Sequence, residues 1–401
     1  MKQLISPDTA KALIAQHLNP IPSISCPLNK CANRVLRQTV VADRPFPPFN
    51  RSMMDGFAIR AKDIDEQGVF QIAIQMPAGS PARNIGTGKA HCAEIMTGAV
   101  VPDDADCVVP YELTKRIDSN TMQLLQPTKH HTGDCIHAYA SDRPEGETLL
   151  QPGIQIGSRE VAVAASCGYN ELQVSKIPAI AIVSTGDELV NVASQPEAHQ
   201  IRRSNDIAIE TALAGVHLYA QECAHLPDDA NISKKQLQSL IETNDIVIIS
   251  GGISMGKKDY IPGALDELGL SGHFHGIAQK PGKPMGFWSN AQCAVFTLPG
   301  NPSSTLTCLH HYVIPALFRA MGQTELSPPQ SVAIDAPIKA RDDLTTFSPV
   351  KISQGNQASP RPTNNSGDLV RILDSDGYIE VTPTKDKTYP VGTTFEFYPW
   401  H

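Results

Sequence analysis

Between residues 179 and 322 the chain alternates short apolar runs with helical patterns, and this alternation limits the fold more than any other feature. The runs Ala179–Ser184, Asp245–Ser250 and Ala294–Leu298 are short stretches dominated by Ala, Ile, Val, Leu and Phe. Strands that read this way are covered on both faces. Helical patterns separate them: Asn205 leads into one containing Ile209 and Leu213, Ser233-Lys234-Lys235-Gln236 has the Ser-x-x-Gln spacing of a capping box, and a third runs from about Asp259 to Gly269. Val216–Ala224 and Gly272–Ala278 read as further strands. Asn301 and Pro302 open a long helix that ends at Gly322, and Pro315 inside it predicts a kink. Regular β–α alternation predicts an α/β domain with a doubly wound, mainly parallel sheet over residues 179–326.

The flanking regions differ in texture. Ser6, Pro7 and Asp8 form a helix start, with Ala10, Leu13, Ile14 and Leu18 on one face. From about residue 46 to 140 the runs are short, β-branched and broken by Pro and Gly, among them Val69–Ile74, Cys107–Tyr111 and Met122–Leu125. This predicts a β-rich lobe within an N-terminal region of residues 1–178. After Ser327-Pro328-Pro329, the runs Val332–Ile338, Thr345–Ile352, Tyr378–Thr382 and Thr393–Tyr398 predict a small β domain over residues 327–401.

Composition excludes several classes. The net charge is -8, with 33 Lys+Arg against 41 Asp+Glu, which disfavours a phosphate-tracking nucleic-acid binder. A membrane-spanning helix needs about 20 apolar residues, and runs such as Ile246–Ile249 are far shorter. No secretory signal is visible near Lys2 and Asp8. The nine scattered cysteines then read as reduced thiols of a cytoplasmic protein. Histidines such as His130-His131 and His310-His311 lack the spacing of a zinc site.

Ligands of open α/β sheets bind beyond the carboxyl ends of the strands. Three unusual loops fall there: Ser184-Thr185-Gly186-Asp187-Glu188, the stretch from Ser250 to Tyr260, and Leu298-Pro299-Gly300-Asn301-Pro302. In the second, Gly251, Gly252 and Gly256 let backbone N–H groups converge on an anion, and Ser250 and Ser254 add hydroxyls. The Walker spacing is absent. Asp187, Glu188 and Asp259 would repel a bare phosphate, and a hard divalent cation such as Mg²⁺ reconciles the two. Asp187 and Asp259 suit helix N-capping equally well. Lys280 and Lys283 stand on the rigid turn Lys280-Pro281-Gly282-Lys283-Pro284, which favours anion binding. These residues point to a phosphorylated ligand held with Mg²⁺.

Six motifs together carry a resemblance. They are Pro47-Pro48-Phe49-Asn50-Arg51-Ser52-Met53-Met54-Asp55-Gly56-Phe57-Ala58, Ile95-Met96-Thr97-Gly98-Ala99, Ser184–Leu189, the Ser250–Tyr260 loop, Lys280–Pro284 and Leu298–Pro302. In this order the chain resembles the molybdopterin molybdenumtransferases, the MoeA family with the gephyrin E domain. The resemblance implies a MogA/MoaB-like central domain and Mg²⁺-dependent insertion of molybdate into adenylylated molybdopterin with release of AMP. It implies a homodimer whose cleft joins the central domain of one subunit to the β-rich lobe of the other, and an adenylyltransferase of the same pathway as a partner.

By the same resemblance Glu188 and Asp259 hold Mg²⁺. Thr185, Gly186, Asp187, Gly251, Gly252, Ser254, Gly256, Pro299, Gly300, Asn301 and Pro302 line the pterin and nucleotide pocket. Lys280 and Lys283 meet phosphate or molybdate. Asp55, Thr97 and Asp142 reach in from the lobe, and Asp228 and Ser366 match further family positions. The chain also departs from the family pattern. Cys135-Ile136-His137 and Asp142 stand for Asn-Ile-Arg…Gly-Glu-Asp, Glu94 stands for an Arg, and Arg202-Arg203-Ser204-Asn205 stands for Tyr-Asp-Ser-Asn. These departures motivate the alternative of a non-catalytic molybdopterin-binding or scaffold protein of the same fold.

Overall fold

The computed structural model describes residues 4–253, 260–324, 330–363, 365 and 367–400. The chain divides into two compact units: residues 1–38, 152–158 and 171–401 in one, and 39–151 with 159–170 in the other.

The first unit is built on a six-stranded sheet. In spatial order its strands are Ala220–Leu226, Ile180–Thr185, Ile246–Ser250, Ala294–Leu298, Gly286–Ser289 and Ser271–His275. The first four are parallel; Gly286–Ser289 runs opposite to them, and the edge strand Ser271–His275 pairs antiparallel with it. Every residue of Ile180–Thr185, Ile246–Ser250 and Ala294–Leu298 is buried, so alternate side chains fill two separate cores. Ile180, Ile182, Ile246, Ile248 and Phe296 pack with Ile209 and Leu213, with Ala10 and Ile14, and with Leu309 and Leu317. Ala181, Val183, Val247, Ile249 and Val295 pack on the opposite face with Leu237, Ile241 and Leu265. The N-terminal helix Pro7–His17 has Ser6 as its cap and Pro7 in its first turn, as expected.

Two local expectations are corrected, and a third helix has a feature the sequence does not show. The fourth parallel strand is Ala220–Leu226 rather than Val216–Ala224, because the helix Asn205–Gly215 continues into a turn at Val216 and His217, where His217 has φ 60°. The helix Ala230–Thr243 is capped by Asp229, whose carboxylate accepts from the N–H groups of Asn231 and Ile232. Ser233 is thus inside the helix, where its buried Oγ donates to Pro227 O at 2.7 Å. The long helix after Asn301 contains a π-helical turn at Leu309–Val313 between Pro302–Cys308 and Ile314–Ala320. The π-turn ends two residues before Pro315, and a π-turn and a proline are both causes of a bend in a helix.

The C-terminal strands Thr345–Ser353, Gln357–Pro360, Gln330–Ile334, Thr394–Pro399 and Gly377–Val381 pair in that order, and the first and last pair with each other. The result is a small closed barrel around Val332, Val350, Ile379 and Phe397. Gln279–Lys280 adds to it in parallel with Thr345–Thr346.

The second unit is built on another six-stranded sheet, ordered Cys107–Pro110, Gly56–Ile59, His91–Ile95, Val69–Met76, Thr121–Leu124 and Thr114–Arg116. Gly56 is a packing requirement, since a Cβ there would lie 2.0 Å from Val109 O. Glu94 is buried in this sheet. Its carboxylate accepts from Arg116 Nη1 and Nη2 at 2.7 and 3.2 Å, from Tyr111 Oη at 2.9 Å and from Gln75 Nε2 at 3.1 Å. Among the described residues no helix is long and apolar enough to cross a membrane, and all nine cysteines are free thiols.

The Arg116 hydrogen bonds hold the Glu94 carboxyl below its ordinary range. A depressed carboxyl adds stability above its unfolded pKa, about 4.3, and loses it as pH falls through the folded value. Glu94→Gln is expected to destabilise the chain by about 1 kcal/mol at neutral pH, because a buried carboxylate loses its charge-assisted bonds to the half-exposed Arg116. Denaturant unfolding across pH should show the gap to wild type closing below about pH 4. A gap that does not change with pH would refute this account.

Candidate functional site

The parallel pairing is in register. Ser184 pairs with Ser250 and Ser250 with Leu298, so three strands end in one row. The loops leaving that row are joined directly. Gly251 N–H donates to Leu298 O at 3.0 Å, and Gly186 N–H donates to Leu226 O at 3.4 Å. Asp228 N–H donates to Asp187 Oδ1 at 3.0 Å, bringing two of the expected acids together.

Gly251 and Gly252 have φ of 96° and 64°, in the left-handed region. They also lie against Thr185: a Cβ on either would fall 2.7 or 2.8 Å from Thr185 Oγ1. Both conditions demand glycine. Thr185 Oγ1 is buried and, among the described residues, has no hydrogen-bond partner, a condition that favours a ligand or water that supplies one. Glu188 lies over Gly186, its Oε2 2.5 Å from where a Cβ would be. No helix follows Asp187, because the chain continues as the short strand Leu189–Val190. Helix capping is thereby ruled out for Asp187.

The third loop is fixed by the helix it opens. Thr305 Oγ1 donates to Pro299 O at 2.6 Å, and Pro302 occupies the first turn. Gly300 and Asn301 are exposed at the rim. Asn205 completes the arrangement: its Nδ2 donates to Ser250 Oγ and to Gly300 O, both at 2.8 Å. In sequence Asn205 matches the last residue of the family's Tyr-Asp-Ser-Asn stretch, but a helix start alone does not show which distant loops it clamps. Tyr260 Oη donates to Pro227 O at 2.7 Å and so ties the far end of the glycine loop to the Asp228 turn.

Lys280 and Lys283 are exposed on their turn. Gly282 in that turn packs on the buried Cys308 and Gln279, leaving no room for a Cβ. Gln279 donates to Pro281 O at 3.0 Å and accepts from Tyr312 Oη. Among the described residues no hydrogen bond joins this turn to the glycine loops. Ser254, Gly256, Asp259 and Ser366 lie outside the described residues. A separate cavity of about 1210 Å³, lined by Lys11, His311, Tyr312 and Tyr398 among others, contains none of the expected site residues.

The second unit carries Asp55, Thr97 and Asp142, all exposed. Asp55 Oδ1 accepts from Thr97 N–H at 2.6 Å, and this backbone bond lowers its pKa. Asp142 Oδ1 is 2.7 Å from His137 Nε2, and that bond is the main cause of its lowered pKa. Both are carboxylates at neutral pH.

Among the described residues no three His, Cys, Asp or Glu side chains form a ready metal cluster. The carboxylates present at the loops, those of Asp187, Glu188 and Asp228, offer only hard oxygen donors. That donor set fits Mg²⁺ rather than a softer ion.

The fold defines a multidomain protein with a mainly parallel α/β domain, a β-rich lobe and a terminal barrel. Family comparison agrees region by region. Residues 5–168 match the MoeA N-terminal region (domain I and II), 181–319 the probable molybdopterin binding domain, and 332–400 the MoeA C-terminal region (domain IV). A molybdopterin molybdenumtransferase of a Synechocystis strain is 33% identical over 99% of this chain and 100% of its own. One from Staphylococcus aureus is 29% identical over 96% and 92%. The crystal structure of the molybdopterin biosynthesis MoeA protein from Pyrococcus horikoshii superposes with a TM-score of 0.81 at 25% identity, covering 99% and 100%. The chain belongs to the MoeA family of molybdopterin molybdenumtransferases.

Two substitutions separate packing from binding. Thr185→Val should change folding stability by less than about 0.5 kcal/mol, since the hydroxyl it removes is unpaired, yet weaken ligand binding in calorimetry. Asn205→Ala should cost about 1 kcal/mol and speed hydrogen exchange at Gly251 and Gly300. Unchanged exchange there would show that the clamp does not hold the loops.

Proposed function

We propose that this chain, an enzyme of molybdenum cofactor biosynthesis, inserts molybdate into adenylylated molybdopterin and releases AMP in a Mg²⁺-dependent reaction. The observation that carries this reading is the convergence of the Thr185–Glu188, Ser250–Gly252 and Pro299–Asn301 loops on one row of strand ends. The substrate is a pyrophosphate-linked adenylate, so it needs backbone donors, cationic groups and charge compensation together.

In this reading the Gly251 and Gly252 backbone admits the ligand close to the sheet, and Thr185 Oγ1 gains its missing partner. Asn205 keeps Ser250 and Gly300 at fixed spacing while the ligand is bound. Lys280 and Lys283 meet phosphate or molybdate oxygens. Glu188, with Asp259, would hold Mg²⁺, which when bound neutralises pyrophosphate charge and stabilises the leaving AMP. Asp187 and Asp228, on two loops joined by the Asp228 N–H to Asp187 Oδ1 bond, orient the polar edge of the ligand. Ser254, Gly256, Pro302 and Ser366 complete the lining. Asp55, Thr97 and Asp142 act from the β-rich lobe of a second subunit in a cytoplasmic homodimer, and an adenylyltransferase delivers the substrate. The same reading divides the chain at residues 178 and 326.

AMP release from adenylylated molybdopterin with molybdate and Mg²⁺ tests the reaction. Binding without AMP release would favour a scaffold. Complementation tests the shared cleft: inactive Asp55→Ala and Asp259→Ala subunits are mixed and allowed to exchange. A two-fold assembly regenerates one intact site per mixed dimer, so about a quarter of full activity should return when half the dimers are mixed. No recovery after demonstrated exchange would eliminate the shared cleft.

A further inference from the structure

His137 has a set of partners that the reaction as described above does not use. It lies on the short strand Ile136–His137, which pairs antiparallel with Arg51–Ser52 so that His137 sits opposite Arg51. Arg51 Nη2 is 3.0 Å from His137 Nδ1, and His137 Nε2 is 2.7 Å from Asp142 Oδ1. A guanidinium only donates, so Nδ1 must be the acceptor. The neutral ring then carries its proton on Nε2 and donates it to Asp142. One imidazole thus faces an arginine with its acceptor edge and an aspartate with its donor edge.

The surrounding backbone fixes this chain of groups. Asp142 and Arg143 both donate N–H to Phe46 O, at 2.9 and 3.1 Å. Ala140 N–H donates to Pro47 O at 3.0 Å, and Tyr139 N–H to Asn50 Oδ1 at 2.9 Å. The segment 139–143 is therefore strapped to 46–50, and Arg51 follows immediately. Ser52 and Gly98 exchange backbone bonds with Ala99 and Ser52, at 3.0 and 2.9 Å, which places the strand beside the loop where Asp55 meets Thr97. The His137 side chain is 28% exposed and that of Asp142 is 54% exposed, so a ligand can reach the carboxylate. Among the described residues only Oδ1 of Asp142 is held, by His137 and by Ser141 Oγ at 3.4 Å. Among the described residues Arg51 makes one side-chain hydrogen bond, to His137.

We propose that His137 is a positioning residue that sets the spacing between Asp142 and Arg51, so that Asp142 Oδ2 meets a hydrogen-bond donor of the bound ligand while the remaining Arg51 N–H groups meet an anionic oxygen of the same ligand. This deepens the reading above and rests on Asp142 meeting substrate. A planar, charged fork suits an oxyanion, and the imidazole keeps it from collapsing directly onto the aspartate.

The test uses the full-length protein with His137→Phe and His137→Gln. Phenylalanine keeps the ring and loses both nitrogens. A glutamine amide offers one acceptor and one donor and can bridge the same pair. His137→Phe is expected to raise KM for adenylylated molybdopterin about tenfold, the scale of one hydrogen bond to a charged group, with kcat within about threefold. His137→Gln should recover KM to within about threefold of wild type. A wild-type KM in His137→Phe, or equal impairment in both variants, would overturn the inference. A purely structural role would instead lower the thermal midpoint of both and leave the KM-to-kcat split unmoved. If the unaltered chain releases no AMP, the proposed reaction fails, and the positioning role is then judged by nitrogen-15 spectra of the ring. An acceptor-type Nδ1 that shifts in Arg51→Met and an Nε2–H that shifts in Asp142→Asn support it. Resonances indifferent to both substitutions overturn it.

Discussion

The in-register pairing of three parallel strands is the constraint on which the central site depends. Ser184, Ser250 and Leu298 share one row of the ladder, so the loops after them start at the same height, the first and third one strand spacing to either side of the second. Parallel strands bury both faces, and these three have no exposed residue. A one-residue slip would exchange Ile182, Ile248 and Phe296 with Val183, Ile249 and Thr297, moving side chains between two filled cores. The cores therefore hold the register, and the register holds the loops. Thr185 beneath Gly251 and Gly252 is a direct result, because the close approach exists only when neighbouring strands end together.

The β-rich lobe uses a different device. Its sheet has a buried carboxylate, Glu94, with four hydrogen bonds from Arg116, Tyr111 and Gln75. In sequence, Glu94 reads as a departure from the family pattern, and packing shows what the substitution does: it forms an internal ion pair with Arg116. His137, another departure, is bonded on both sides by Arg51 and Asp142. Both positions differ from the family pattern, and in both the replacement residue has complete local chemistry.

The central helices show where local signals mislead. Ser233 has the spacing of a capping box, but Asp229 lies four residues earlier and caps with its own carboxylate. With that cap the helix begins one turn earlier, and Ser233 is buried inside it with its hydroxyl donating to Pro227 O. Pro315 reads as a kink, and the chain accommodates it with a π-turn that keeps Leu309, Val313 and Leu317 in the core.

The sequence by itself determined the α/β alternation, the fully buried strands, the N-terminal helix cap and the three glycine- or proline-rich loops at strand ends. Each of these is encoded by residues within about a dozen positions of one another, where hydrophobic period, cap and turn chemistry act directly. Only the tertiary structure decided which groups meet. Asn205 reaches Gly300 across 95 residues and Arg51 reaches His137 across 86. Lys280 joins a barrel whose strands lie beyond residue 329. These encounters follow from strand order and ladder register, which are set by how two cores and a closed barrel fill, and no local pattern carries that information.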